Sequence, residues 1–180
     1  MRRARITFLA AALAVLPLSL VSAKGAGGIT WGQELFSPSL SNFDLQTTYS
    51  GGYGYGVTRD GQRVGGFILG LHSSTPGTGY DAGFVGLISG QEVHMGPVMG
   101  ALNLWTGIGG ISAVPALGIP GSFALLGQLD LELGFGFTPG MLLTAYGGMQ
   151  AVVSVVEGQP LFHNVMYTPV LGLRLAWGSF

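Results

Sequence analysis

The sequence predicts an all-β chain, an eight-stranded antiparallel up-and-down transmembrane β-barrel that follows a cleaved N-terminal signal peptide. Three observations predict it. From Ser122 to Val155, large apolar residues alternate with small or polar ones on either side of Thr138-Pro139-Gly140, and a period of two puts the two sets on opposite faces of a sheet. Charged residues make up only 8% of the chain, against roughly a quarter of an ordinary soluble domain, and no Lys or Arg lies between Arg63 and Arg174. Beyond the N-terminal region no segment offers about 18 consecutive apolar residues, so strands must carry the hydrophobicity.

Residues 1–23 read as the signal peptide. Arg2, Arg3 and Arg5 form its positive region, Ile6 to Leu20 its apolar stretch and Val21-Ser22-Ala23 a small-residue cleavage site. Cleavage after Ala23 leaves residues 24–180 as the barrel domain, with four basic against eight acidic residues and a net charge of about −4. Nucleic acid therefore finds no basic patch. The absence of cysteine excludes disulfides, thiolate metal sites and the acylated cysteine of a lipoprotein.

The strands follow in order. Gly27 to Phe36 is the weakest, with Ile29, Trp31 and Leu35 on one parity interrupted by Gln33. From Asp44 to Thr58, Leu45, Thr47, Tyr49, Tyr53, Tyr55 and Val57 alternate with Gln46, Thr48, Ser50, Gly52, Gly54 and Gly56, and after Asp60-Gly61 the odd series resumes with Phe67, Leu69 and Leu71. Cross-strand partners share a face, so a hairpin that keeps one parity outward needs an odd number of loop residues. Arg59-Asp60-Gly61 and Thr138-Pro139-Gly140 both fit three-residue loops with Gly at the left-handed third position. The odd residues of both hairpins are expected to face outward.

Tyr80 to Gly90 and Val98 to Ile108 form the next pair, with a turn expected around Gln91 to Met95. Here Phe84, Ile88, Val98, Leu102 and Leu104 are assigned outward, and Asp81, Ser89, Asn103 and Trp105 inward. Gly109 to Gly121 and Glu157 to Asn164 read as loops. The last strand alternates Pro169, Leu171, Leu173, Leu175 and Trp177 against Val170, Gly172, Arg174 and Ala176, and ends on Phe180. With eight strands and both termini on one side, the short turns near Asp60, Glu92 and Pro139 share that side. The longer loops near Ser39, Thr75, Ala116 and Gln159 share the other, as in outer-membrane barrels with short periplasmic turns.

The Leu-, Phe- and Val-rich face belongs to lipid, because in a soluble barrel it would lie in water while the charged, glycine-rich face left the core badly filled. Closure follows from the cost of an open sheet edge in hydrocarbon. Under this topology Tyr53, Tyr55, Phe135, Phe137, Trp177 and Phe180 fall toward the periplasmic side, as an interfacial girdle would.

This pattern resembles the small eight-stranded bacterial outer-membrane barrels of the OmpA/OmpX type, and the resemblance covers nearly all of residues 24–180 as architecture. It implies a bacterial outer-membrane location, contact with outer-membrane lipid, and recognition by the barrel-assembly machinery through Leu171, Leu173, Leu175, Trp177 and Phe180. Phe180 has the opposite parity to the other four, and a bulge at Gly178-Ser179 would restore its face.

Asp130, Glu132 and Arg174 are the sharpest polar set. All three are inward by parity and lie at similar depth, so they are expected to meet across the lumen, where a buried charge needs a partner. The register sets Glu132 opposite Tyr146 and Gln128 opposite Gln150, extending the set into a polar ladder. Its structural reading is an ion-pair network, and the alternative is a proton or ion path. His72 and His163, near Ser73, Ser74 or Glu157, are the residues an outer-membrane acyl hydrolase would require, and His94 has no second metal ligand at useful spacing. The glycine-rich run Gly51-Gly52-Tyr53-Gly54-Tyr55-Gly56 precedes neither a helix nor a phosphate-loop Lys, and reads as strand glycine at a constricted lumen. No cofactor is expected. The expected function is a non-enzymatic structural or surface-interaction barrel plugged by its own side chains; the alternatives are a narrow pore and a lipid-modifying enzyme.

Overall fold

In a computed structural model, residues 24–34, 47–73, 81–112, 121–155 and 165–180 are described. The signal-peptide segment, the loops near Ser39, Thr75, Ala116 and Gln159, and His163, Ser74 and Glu157 lie outside them. The described residues form β1 (Lys24–Glu34), β2 (Thr47–Val57), β3 (Gln62–Ser73), β4 (Asp81–Met95), β5 (Val98–Ile111), β6 (Ser122–Thr138), β7 (Met141–Val155) and β8 (Val165–Ser179). Each pairs antiparallel with the next, and β8 closes on β1. The expected eight-stranded up-and-down barrel is the one observed.

Turn chemistry sets the registers. Gly61 (φ 79°) takes the left-handed conformation at the third position of the loop Arg59-Asp60-Gly61, and Gly140 (φ 83°) takes it at the second position of a two-residue turn, where a side chain is disfavoured. Val57 therefore pairs with Arg63, and Glu132 with Tyr146. The three-residue loop expected at Thr138-Pro139-Gly140 does not form: Thr138 pairs with Met141 around Pro139-Gly140, and a bulge at Phe137 restores the register at Gly136 and Leu142. The β4–β5 turn differs from expectation. β4 runs through Gln91 to Met95, and Gly96-Pro97 makes a two-residue turn with Gly96 at φ 63°, the conformation that puts Gly at the first central position. Met95 consequently pairs with Val98, partners have opposite parity, and Phe84 and Ile88 cannot share the face of Leu102 and Leu104.

The faces divide the barrel. On β5 to β8 the expected orientation holds: Leu104, Leu129, Leu131, Leu133, Phe135, Leu171, Leu173 and Trp177 project outward, with Leu131 and Leu133 67% and 69% exposed. In water each of these would forgo about 1.5–3 kcal/mol of burial, whereas in hydrocarbon none is lost. On β2 and β3 the expected orientation is reversed. Tyr49, Tyr53, Tyr55, Val57, Arg63, Phe67, Leu69 and Leu71 are buried in the lumen, and Thr48, Ser50, Gly52, Gly54, Gly56 and Gly66 take the outer parity. Tyr53 and Tyr55 are therefore not girdle residues. On β4, Phe84 and Ile88 are also buried, while Asp81 and Ser89 are exposed.

Inward glycines make room for the inward rings. A Cβ at Gly32 would stand 2.5 Å from Tyr49 Cζ, one at Gly28 2.9 Å from the Tyr53 hydroxyl, and one at Gly172 2.6 Å from Tyr146 Cζ. Each tyrosine lies in a slot that only glycine leaves open. The lumen beside these glycines is thus filled by tyrosine rings, which the sequence pattern had assigned outward.

Candidate functional site

The site grows from parity and shear. Arg63 on β3, Glu92 on β4, Asn103 on β5, Asp130 and Glu132 on β6 and Arg174 on β8 all point inward, and each is buried. Glu132 is the hub. Its Oε2 accepts from Arg63 Nη1 at 2.8 Å, Arg174 Nη1 at 2.9 Å and Asn103 Nδ2 at 2.8 Å. Asp130 receives Arg174 on both oxygens, Nη1 to Oδ1 at 3.1 Å and Nη2 to Oδ2 at 2.7 Å, the two-pronged geometry that favours arginine over lysine. Asp130 also accepts from Asn103 Nδ2 and Gln128 Nε2, each at 2.9 Å.

Arg63 ties this centre to the end of the barrel that carries the β2–β3 and β4–β5 turns. Its Nε donates to Glu92 Oε2 at 2.7 Å, and Glu92 Oε1 lies 3.0 Å from Nε2 of the partly exposed His94. Aromatic faces cover both cations, with Arg63 Cζ 4.4 Å from the Tyr55 ring centroid and Arg174 Cζ 3.7 Å from that of Tyr146 and 4.6 Å from that of Trp105. Desolvated guanidinium over a ring is worth about 2 kcal/mol. The Tyr146 hydroxyl donates to that of Tyr49 at 2.6 Å and lies 3.2 Å from Thr30 Oγ1. Chemically the arrangement is a cross-lumen ion-pair network, because it links β3, β4, β6 and β8 through charges that only water or each other can satisfy.

The structure brings Gln128, Asp130, Glu132, Tyr146 and Arg174 together, and places Gln150 opposite Gln128 in the ladder, with its Nε2 donating to Glu34 Oε1 at 2.9 Å. Sequence reasoning missed Arg63 and Glu92. The signal was present: Arg63 shares parity with Phe67 and Leu69, and a cation inside a membrane strand, here its second residue, marks its own face as the lumen side. His72 and Ser73 sit on opposite faces, His72 exposed and paired with Asp81 at 2.6 Å, Ser73 buried, so these two do not form a nucleophile–base pair. In the C-terminal segment Leu171, Leu173 and Trp177 face outward and Leu175 is half-buried. The expected bulge is not there, since Gly178 and Ser179 pair with Ala26 and Gly25 in unbroken register, and Phe180 packs partly against the interior.

No family model matches the sequence, and no curated protein is similar to it. Among solved structures, the barrel is similar to the crystal structure of Neisserial surface protein A, with a TM-score of 0.60 over 88% of this chain and 97% of that one, at 13% identity. The fold is the small outer-membrane barrel. At that identity the likeness is one of architecture, and the lumen residues stand on this chain's own geometry.

Proposed function

We propose that this chain is a bacterial outer-membrane barrel, exported through its signal peptide, with a structural or surface-interaction role and a lumen closed by its own side chains. The observation that carries the reading is the network joining Arg63 and Arg174 to Glu92, Asp130 and Glu132 across the interior. The outward Leu and Phe belt on β5 to β8 supports the membrane location, and the likeness to a surface protein supports the cell surface as its place. The barrel is read as non-enzymatic, and its C-terminal strand, from Leu171 to Phe180, as the segment the assembly machinery contacts.

The test is electrical. Reconstituted in a planar bilayer, the wild-type barrel is expected to show no conductance steps, and steady single-channel steps from it would overturn the plugged lumen in favour of a narrow pore. Incubation with phospholipid vesicles is expected to release no fatty acid; release that depends on His72 would establish the enzyme instead.

A further inference from the structure

The polar residues of the outer wall follow a slope. Gln33 of β1 pairs with Thr48 of β2, Thr48 with His72 of β3 and His72 with Asp81 of β4, and all four are exposed on the outward parity of their strands. Hydrogen bonds tie the row together. Thr48 Oγ1 donates to the His72 carbonyl at 3.3 Å, His72 Nδ1 lies 2.6 Å from Asp81 Oδ1, and the Asp81 amide donates to Ser112 Oγ, just beyond β5, at 2.8 Å. A row of cross-strand partners is not level in a sheared barrel. Followed through every strand from Lys24, by way of Arg63, Asp130 and Val170, such a row returns to β1 at Glu34, ten residues nearer the end opposite the turns. That rise, set against the spacing of eight strands, tilts the strands by roughly 40° and makes the row climb roughly 3 Å per strand. Gln33 is therefore its lowest member.

The β8–β1 seam turns the slope into a step. Gln33 pairs with Leu171, and beyond Leu171 the outer face of β8 stays apolar through Pro169 to Tyr167, which stands roughly 7 Å higher along the barrel axis than Gln33. Aromatic side chains collect at the headgroup level of a bilayer. On β1 the outward aromatic is Trp31, two positions nearer the turns than Gln33, whereas on β8 and β6 it is Tyr167 and Phe123. From Phe123 to Phe137 the outer parity of β6 carries no polar residue, while that of β2 consists of Thr48, Ser50 and three glycines. A flat bilayer fitted to Tyr167 would hold the Gln33 amide in hydrocarbon, where exposed polar groups are costly. Local thinning is the less costly adjustment to a short apolar belt. We propose that the β1–β2 wall is a lipid-interaction surface whose occupant is the headgroup region of the outer leaflet, drawn in to Gln33 and Thr48, so that the bilayer is thinner beside the β8–β1 seam than beside β6. The surface is continuous with the Leu and Phe belt of β5 to β8, and the inference rests on the membrane location proposed above.

The chain has no cysteine, so single nitroxide labels can report depth. Gln33→Cys, Tyr167→Cys and Leu131→Cys are labelled in the full barrel refolded into dioleoylphosphatidylcholine vesicles, and depth is read from collisions with oxygen against those with a water-soluble nickel chelate. The labels at 33 and 167 are expected to read the same headgroup depth, and the label at 131 the hydrocarbon. A label at 33 roughly 7 Å deeper than the one at 167 means a flat boundary and overturns the proposal alone. A label at 131 open to the nickel chelate overturns the membrane location, and the proposal with it. A label at 33 shielded from both reagents, with spin coupling between copies, assigns the face to a second barrel and also overturns it. Should Gln33→Cys fail to fold, Gln33→Leu provides an independent reading. It is expected to raise the urea midpoint in vesicles of long acyl chains and not in those of short ones, whose thin bilayer already fits; the same shift in both, or none in either, overturns the proposal.

Discussion

The β2–β3 and β6–β7 hairpins both turn on a left-handed glycine and distribute their bulk in opposite ways. β2–β3 closes a three-residue loop on Gly61 and β6–β7 the two-residue turn Pro139-Gly140 with a bulge behind it, and both keep one parity across the pair. In β6–β7 the Phe side chains and the Leu side chains other than Leu126 and Leu142 face out, and Asp130, Glu132, Gln128 and Gln150 face in. In β2–β3 the rings and Leu69 and Leu71 face in, and the outer parity is mostly Gly, Ser and Thr, with Val64 and Ile68 as its large apolar residues. Turn geometry and alternation therefore decide which residues meet across strands, not which face meets lipid. The two arginines stand on β3 and β8, and rings cover each of them, Tyr55 of β2 at Arg63 and Trp105 of β5 with Tyr146 of β7 at Arg174.

That contrast can be broken at several points. The largest effect is expected from Glu132→Ala, which strands Arg63 and Arg174 without their shared acceptor, and from Arg174→Ala, which strands Asp130. Removing one partner of a buried pair costs about 3–5 kcal/mol, to be read as a lowered urea midpoint of refolding into lipid vesicles; unchanged midpoints would remove the network from the stability of the fold. Next comes the lipid face of β6. Leu131→Arg is expected to cost about 2–4 kcal/mol in vesicles, and a neutral result would mean that this belt does not lie in hydrocarbon.

Two glycine substitutions on the other hairpin sharpen the comparison further. At Gly65 a Cβ would collide with the Gly54 carbonyl oxygen and stand 2.6 Å from Tyr55 Cα, backbone that cannot swing aside, so Gly65→Ala is expected to cost about 1–3 kcal/mol. At Gly54 the nearest atom would be 3.7 Å away, so Gly54→Ala is expected to stay within about 0.5 kcal/mol of wild type. Equal effects at the two positions, measured by the same urea titration, would contradict the assignment of Gly65 inward and Gly54 outward.

Strand number, strand order and the meeting of Asp130, Glu132 and Arg174 were all legible in the sequence. Each follows from local rules, namely a period of two, glycine at the turn and the need of a buried charge for its opposite. The orientation of β2, β3 and β4 was not, nor were Arg63 and Glu92 as members of the network. Alternation of Tyr with Gly reads identically whether the ring points to lipid or to lumen, and the β4–β5 register depended on two turn residues, Gly96 and Pro97. The choice of face is made only when eight strands close, because lumen volume and lumen charge must then be satisfied by all of them together. The chain by itself determined that a barrel forms and which strands pair, while the tertiary structure decided which parity of β2, β3 and β4 faces the lumen.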